Sequence, residues 1–222
     1  MNNILYYFFL YYFFLFFLYA VIGWIVEVTY VFILDKKLVN RGFLIGPYIP
    51  IYGVCATIMT LYLTQYKDNP LTVFILAMFI CSFIEYMTSF YMEKLFKARW
   101  WDYSNQKFNL NGRTCLLNTF LFGVLALVLI YLVNPPLLAL IDKINKNTLN
   151  IISIICLVIF LIDLVVSTKV ILNLKDKISQ VKSDATIEIK KLVTDILHKK
   201  YLPTRILKAF PKVKFNLRNK KE

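Results

Sequence analysis

The chain has 222 residues, of which 59% are hydrophobic and 18% charged, and it carries a formal net charge of +13. That much apolar surface exceeds what one soluble core can hide, and the long uncharged runs have bilayer-spanning length, so transmembrane helices are expected. The cations flank the apolar runs or crowd the C-terminal tail, which is how membrane topology is written, and no nucleic-acid partner is expected. Cys55, Cys81, Cys115 and Cys156 lie far apart in or beside apolar runs, and His198 is the only histidine. Neither a disulfide framework nor a metal site is expected, and no cofactor.

The first apolar run, Ile4 to Leu34, contains no Lys or Arg. Tyr and Phe supply eleven of the fourteen residues from Tyr6 to Tyr19. A basic start and a small-residue cleavage site are not evident, so an uncleaved span is expected in place of a signal peptide. As one helix it is roughly 46 Å long, more than a hydrocarbon core needs, and Tyr6, Tyr7, Tyr11 and Tyr12 suit the interface. Asn40 to Gly53, NRGFLIGPYIPIYG, then packs an Arg, three glycines and two prolines into fourteen residues. It reads as a cytoplasmic loop feeding a second span that begins near Pro47 or Pro50 and runs to about Thr64. Exposed N–H groups at that helix start, beside Arg41, can bind an anion such as phosphate; equally, the segment can be only a well-made turn.

Lys67-Asp68-Asn69-Pro70 is a turn signal, and the third span covers Leu71 to about Met92. A polar segment rich in Trp, Asn, Lys and Arg follows, from Glu93 to Arg113. Within it, Trp100 and Trp101 suit an interfacial anchor, while Asp102-Tyr103-Ser104 and Asn111-Gly112 suit turns. The fourth span, Thr114 to Val133, is expected to end at Asn134-Pro135-Pro136, leaving Leu137 to Ile141 too short to cross. The fifth runs from Leu149 to about Leu172. The fold class is therefore all-α and polytopic, with five transmembrane helices in residues 1–173 and a basic cytoplasmic tail in residues 174–222. In the tail, Ile178, Val181, Ala185, Ile189, Leu192 and Ile196 predict an amphipathic helix up to Pro203, followed by a proline-broken basic end.

With the N-terminus outside, the cytoplasm receives Lys36, Lys37 and Arg41, five cations between Lys94 and Arg113, and the whole basic tail. The outside receives only Lys67, Lys143 and Lys146. The positive-inside rule thus predicts N-out and C-in.

Acidic side chains in lipid are costly and usually face a polar interior. Glu27 lies eight residues before Asp35, Glu85 nine before Lys94 and Asp163 nine before Leu172. That places all three roughly 12–14 Å inside the expected cytoplasmic boundary. Glu85, Ser89 and Glu93 stack along one helix face, and Asp163 and Ser167 repeat the spacing. Arg41, Arg99, Arg113 and Lys169 are available as partners. The functional reading is a polar cavity open to the cytoplasm, lined by Glu27, Arg41, Tyr52, Glu85, Glu93, Trp101, Asp102, Tyr103, Asn111 and Arg113. The alternative is a set of buried ion pairs that fix helix register.

GWIVE (Gly23 to Glu27), NRGFLIGPYIPIYG, Glu85, Glu93, WWDYS (Trp100 to Ser104) and NLNGR (Asn109 to Arg113) occur in this order. The combination resembles the bacterial putative ABC-transporter permease family, type IV, over about residues 15 to 135. The resemblance implies a multi-pass permease component in the bacterial cell membrane, working as a homo- or hetero-oligomer. The sequence holds no Gly-x-x-x-x-Gly-Lys-Ser/Thr phosphate loop, so ATP hydrolysis requires a separate ATPase subunit. The loop from Lys94 to Arg113 is the expected contact for it. Two other readings remain open at this point: an intramembrane enzyme acting on a lipid or lipid phosphate through Glu27 and Glu85, and a structural or assembly protein.

Overall fold

A computed structural model describes residues 2–179, 201–210 and 214–215. Helix α1 (Asn2–Asp35) is apolar around its circumference and, at 34 residues, is about 51 Å long. Lys36, in the left-handed region at φ 54°, ends it. Residues 36–49 then run back beside α1 without regular structure, until Ile49 N–H bonds Ala20 C=O at 2.9 Å. Helix α2 (Pro50–Leu63) starts there, with proline in the first turn where no N–H partner is needed, and ends in a 3₁₀ turn, Thr64–Tyr66. Asn69 caps α3 (Pro70–Phe96) by accepting from Thr72 N–H.

The segment between α3 and α4 holds three two-residue strands: β1 (Ala98–Arg99), β2 (Asn109–Leu110) and β3 (Thr114–Cys115). Strands β2 and β3 pair antiparallel. Asn111 and Gly112 join them with positive φ at both positions (53° and 66°) and an Arg113 N–H to Leu110 C=O bond of 3.0 Å. Three residues, Asn111 to Arg113, separate the paired Leu110 and Thr114, and Asn and Gly tolerate the positive φ that so tight a hairpin needs. After α4 (Leu116–Val128) come a π-helical turn (Leu129–Val133), α5 (Asn134–Asp142) and α6 (Lys146–Ser179). Helix α7 (Tyr201–Ala209) and strand β4 (Lys214–Phe215) follow, and β4 pairs antiparallel with β1.

Four stretches are long and apolar enough to cross a bilayer: Tyr6–Asp35, Pro70–Phe96, Leu116–Asp142 and Lys146–Asp176. The expected second span is not among them. Helix α2 has only 14 residues, because the segment before it is drawn alongside α1 as irregular chain. The expected stop at Asn134-Pro135-Pro136 also needs correction, since helix continues to Asp142. Proline lacks an N–H and its ring crowds the carbonyl four residues back; the wider π-turn just before it relieves both demands. Leu137 to Ile141 accordingly belong to the fourth apolar stretch, with Ile141 buried in the core. In the tail, Pro203 lies inside the first turn of α7; the amphipathic repeat from Val181 to Ile196, expected to run up to that proline, lies outside the described residues.

One core packs α1, α2, α3, α4 and α5 around Leu15, Tyr19, Met59, Leu63, Val73, Ala77, Cys81, Ala126, Ile130 and Ile141. Close approach depends on glycine: a Cβ on Gly53 stands 2.6 Å from Phe16 C=O, and one on Gly123 2.5 Å from the Phe74 ring. A second core gathers Phe96, Ala98, Trp100, Ile171 and Ile206, so α3, β1, α6 and α7 meet there. Trp100 is buried at its centre against Phe43, Phe96 and Phe210, not displayed as an interfacial anchor. Most residues of the four apolar stretches are at least partly exposed, among them Phe79, Phe83, Leu132 and Ile162.

Candidate functional site

Three polar clusters lie where the irregular segments 36–49 and 97–115 meet the helices. In the first, Arg41 pairs with Glu27 on α1 at 3.1 Å, and Tyr52 on α2 donates to the other Glu27 oxygen at 3.0 Å. The Arg41 guanidinium also donates to Ala209 C=O, the end of α7, and lies 5.6 Å from the centre of the Phe210 ring. A helix C-terminus carries partial negative charge, so Arg41 bridges that end and the Glu27 carboxylate. Trp24 Nε1 donates to Asn40 Oδ1 at 2.7 Å and Asn40 donates to Ile45 C=O at 2.9 Å, fixing the segment that delivers Arg41.

In the second, Arg113 reaches Glu93 at 2.8 Å and Ser89 Oγ at 3.2 Å, two of the three residues stacked on that face of α3. Arg99 approaches Glu93 at 3.3 Å and Asp102 at 3.6 Å. Arg113 lies over the rings of Tyr86 and Phe90, Trp101 donates to Arg113 C=O at 2.9 Å, and Asn111 donates to the Tyr86 hydroxyl at 2.9 Å. A Cβ on Gly112 is barred by Ser104 and Asp102, which keeps the hairpin tight against Arg99.

The third surrounds Glu85. The Tyr103 hydroxyl and Asn118 Nδ2 both donate to Glu85 Oε1, at long distances of 3.3 and 3.5 Å. Burial first, and then the Glu85 carboxylate, push the Tyr103 phenol above its usual range, so its hydroxyl keeps its proton and stays a donor. Tyr52 lies within electrostatic reach of Tyr103 and Glu85, so Tyr52 stands between the first and third clusters.

Eight of the sequence-expected residues thus fall into ion pairs or hydrogen bonds with another residue of the set: Glu27, Arg41 and Tyr52; Glu85 and Tyr103; Glu93, Trp101 and Arg113. Asp102 and Asn111 sit at the margin, on Arg99 and Tyr86. Asp163 does not join them and does not pair with Lys169. Its Oδ1 accepts from Ile45 N–H at 3.0 Å and Ser167 Oγ at 2.7 Å, and its Oδ2 from Gly46 N–H at 2.7 Å and Tyr48 Oη at 2.6 Å. Asp163 thus takes the N–H groups of Ile45 and Gly46 in the segment before α2, while at the expected anion site, the helix start itself, Tyr52 and Gly53 N–H bond Ile49 C=O. Two further residues, Thr114 and Asn118, were missed by sequence reading. Their four-residue spacing, with polar groups at the head of an apolar run, was the available signal.

Among the described residues no group of His, Cys, Asp and Glu is assembled to hold a metal ion. The arrangement defines a helical protein with four stretches able to cross a membrane, in which acids on the apolar helices are tied to two irregular segments. The chain belongs to the family described as putative ABC-transporter type IV, whose model matches residues 14–168. That match takes in α6 as far as residue 168, Asp163 included, beyond the residues on which the sequence resemblance rested. No curated protein and no solved structure matches the chain.

Proposed function

We propose that the protein is the membrane-spanning permease component of a bacterial transporter, driven by an ATPase on a separate chain. The observation that carries this reading is the family match over residues 14–168, which contains nearly all of the apolar helical unit. The four apolar stretches supply lipid-facing surface, while α2 and the 40–49 segment complete the bundle on the inside. In this reading the end bearing Arg41, Arg99 and Arg113 faces the cytoplasm, following the cation distribution of the loops. The Lys94–Arg113 segment, with its exposed Phe108 and Leu110, is the surface on which the ATPase docks. Glu27, Glu85 and Glu93, with Arg41 and Arg113, form a polar route that is closed by ion pairs in this state and opens when the 97–115 segment moves.

The test is purification of the tagged protein from its native membrane under mild detergent. An ATPase that co-purifies, and whose ATP hydrolysis rises on reconstitution with this chain, is the expected result. Loss of that ATPase on replacing Phe108 and Leu110 by Ser places the contact. Repeated purification with no ATPase at any stoichiometry overturns the permease reading.

A further inference from the structure

Glu85 is the most buried of the carboxylates grouped at this end of the bundle, only 6% exposed, yet it is served least by its surroundings. Asp163 has four short donors, Glu27 has Arg41 and Tyr52, and Glu93 has Arg113 and Arg99. Among the described residues no Lys or Arg lies within salt-bridge distance of Glu85. Its Oε1 takes two long bonds, and its Oε2 is buried with no hydrogen-bond partner. The Thr114 hydroxyl lies close enough to interact with Glu85, although no hydrogen bond of good geometry joins it to any group. An ionised carboxylate is acceptor-only and wants several donors; a neutral acid has one accepting oxygen and one O–H. The surroundings suit the second inventory: two donors aimed at Oε1, no described cation within salt-bridge distance, an Oε2 without a partner, and a neighbouring hydroxyl, that of Thr114, able to accept from the acid.

We propose that Glu85 is a proton-binding site in the membrane interior, carrying its proton on Oε2 at neutral pH in this state. No bond is made or broken beyond the O–H; the proton comes from and returns to water. The groups that face Glu85 are Tyr52 and Cys55 from α2, Tyr103 and Thr114 from the 97–115 segment, and Asn118 from α4, with Cys81 behind Cys55 and Cys115 behind Tyr103. None of them is a cation. The nearest charged pairs are Glu27–Arg41, reached through Tyr52, and Glu93–Arg113, held one turn along through Ser89. A conformation in which Arg113 leaves Glu93 for Glu85 favours release of the proton, because an adjacent guanidinium stabilises the carboxylate. The site therefore couples the position of the 97–115 segment to protonation. This goes beyond the permease reading and does not depend on it.

Infrared difference spectroscopy of the purified full chain in lipid nanodiscs tests it, without substrate or ATPase. At pH 7 a protonated-carboxyl C=O band is expected that shifts on ¹³C-glutamate labelling and vanishes on raising the pH. It should be absent from Glu85→Gln, retained in Glu27→Gln, and moved in frequency by Thr114→Val. A wild-type spectrum with no protonated glutamate band at pH 7, or a band that survives Glu85→Gln, overturns the proposal. A band abolished at constant pH by sodium or potassium makes this a metal-cation site and also overturns it. Should Glu85→Gln fail to fold, the Thr114→Val spectrum decides: an unmoved band removes Glu85 from the assignment.

Discussion

Asp163 meets its four donors on three parts of the chain: the backbone at Ile45 and Gly46, the Tyr48 hydroxyl, and Ser167 on its own helix. Irregular backbone at membrane depth has no water to bond, so its N–H groups must be satisfied by the protein. A carboxylate with two oxygens and several lone pairs is suited to that task where an amide is not. Asp163→Asn places an NH₂ group against at least one of these donors. It should cost about 1–3 kcal/mol for each N–H left buried and unpaired. The expected outcome is a lower thermal midpoint in detergent, with a further fall for Asp163→Ala; an unchanged midpoint for both removes the anchoring role. Sequence depth alone brought Glu27 and Arg41 into one neighbourhood, because both partners are charged and recognisable. It did not bring Asp163 to Gly46, because a backbone N–H leaves no mark in a sequence.

At the scale of helices, α1 and α2 lie so close that Gly53 has no space for a side chain against the Phe16 carbonyl. Gly53→Val forces the pair apart, and overpacking of this kind costs about 1–3 kcal/mol. Its separation also loosens Tyr52, the next residue, from Glu27. Reduced thermal stability together with faster proteolysis of the 36–49 segment is the expected result, whereas Gly46→Ala, next to Asp163, should act through the loop alone. The apolar runs themselves were plain in the sequence, since length and absence of charge define a span. Two features were not. The Asn134-Pro135-Pro136 signal reads as a break, and only the packed structure shows the π-turn that lets helix pass through it, with Asn134 bonded to Tyr19 at 2.8 Å and Thr60 at 3.0 Å. The short α2 reads as a full span because the irregular segment before it is itself apolar.

For the molecule as a whole, the proposed orientation puts Lys67 and Lys107 on opposite sides of the membrane. In a background lacking the four native cysteines, Lys67→Cys in whole cells should react with an impermeant maleimide, and Lys107→Cys only after permeabilisation; the reverse pattern inverts the topology. Helix α7 is bound into this arrangement by Arg205, which donates to Phe43 C=O at 3.1 Å, and by Ala209 C=O on Arg41. The tail therefore touches the same short segment that Asp163 holds from the other side. That double hold has a consequence for synthesis. Ile45, Gly46 and Tyr48 leave the ribosome 115 to 118 residues before the acid that satisfies them. At a translation rate of about 5–20 residues per second, that is an interval on the order of 6–24 s. Under the proposed membrane reading, the segment lacks during that interval the carboxylate that its N–H groups bond in the folded chain. In that reading, the hold on the segment after α1 is completed only once α6 has been made.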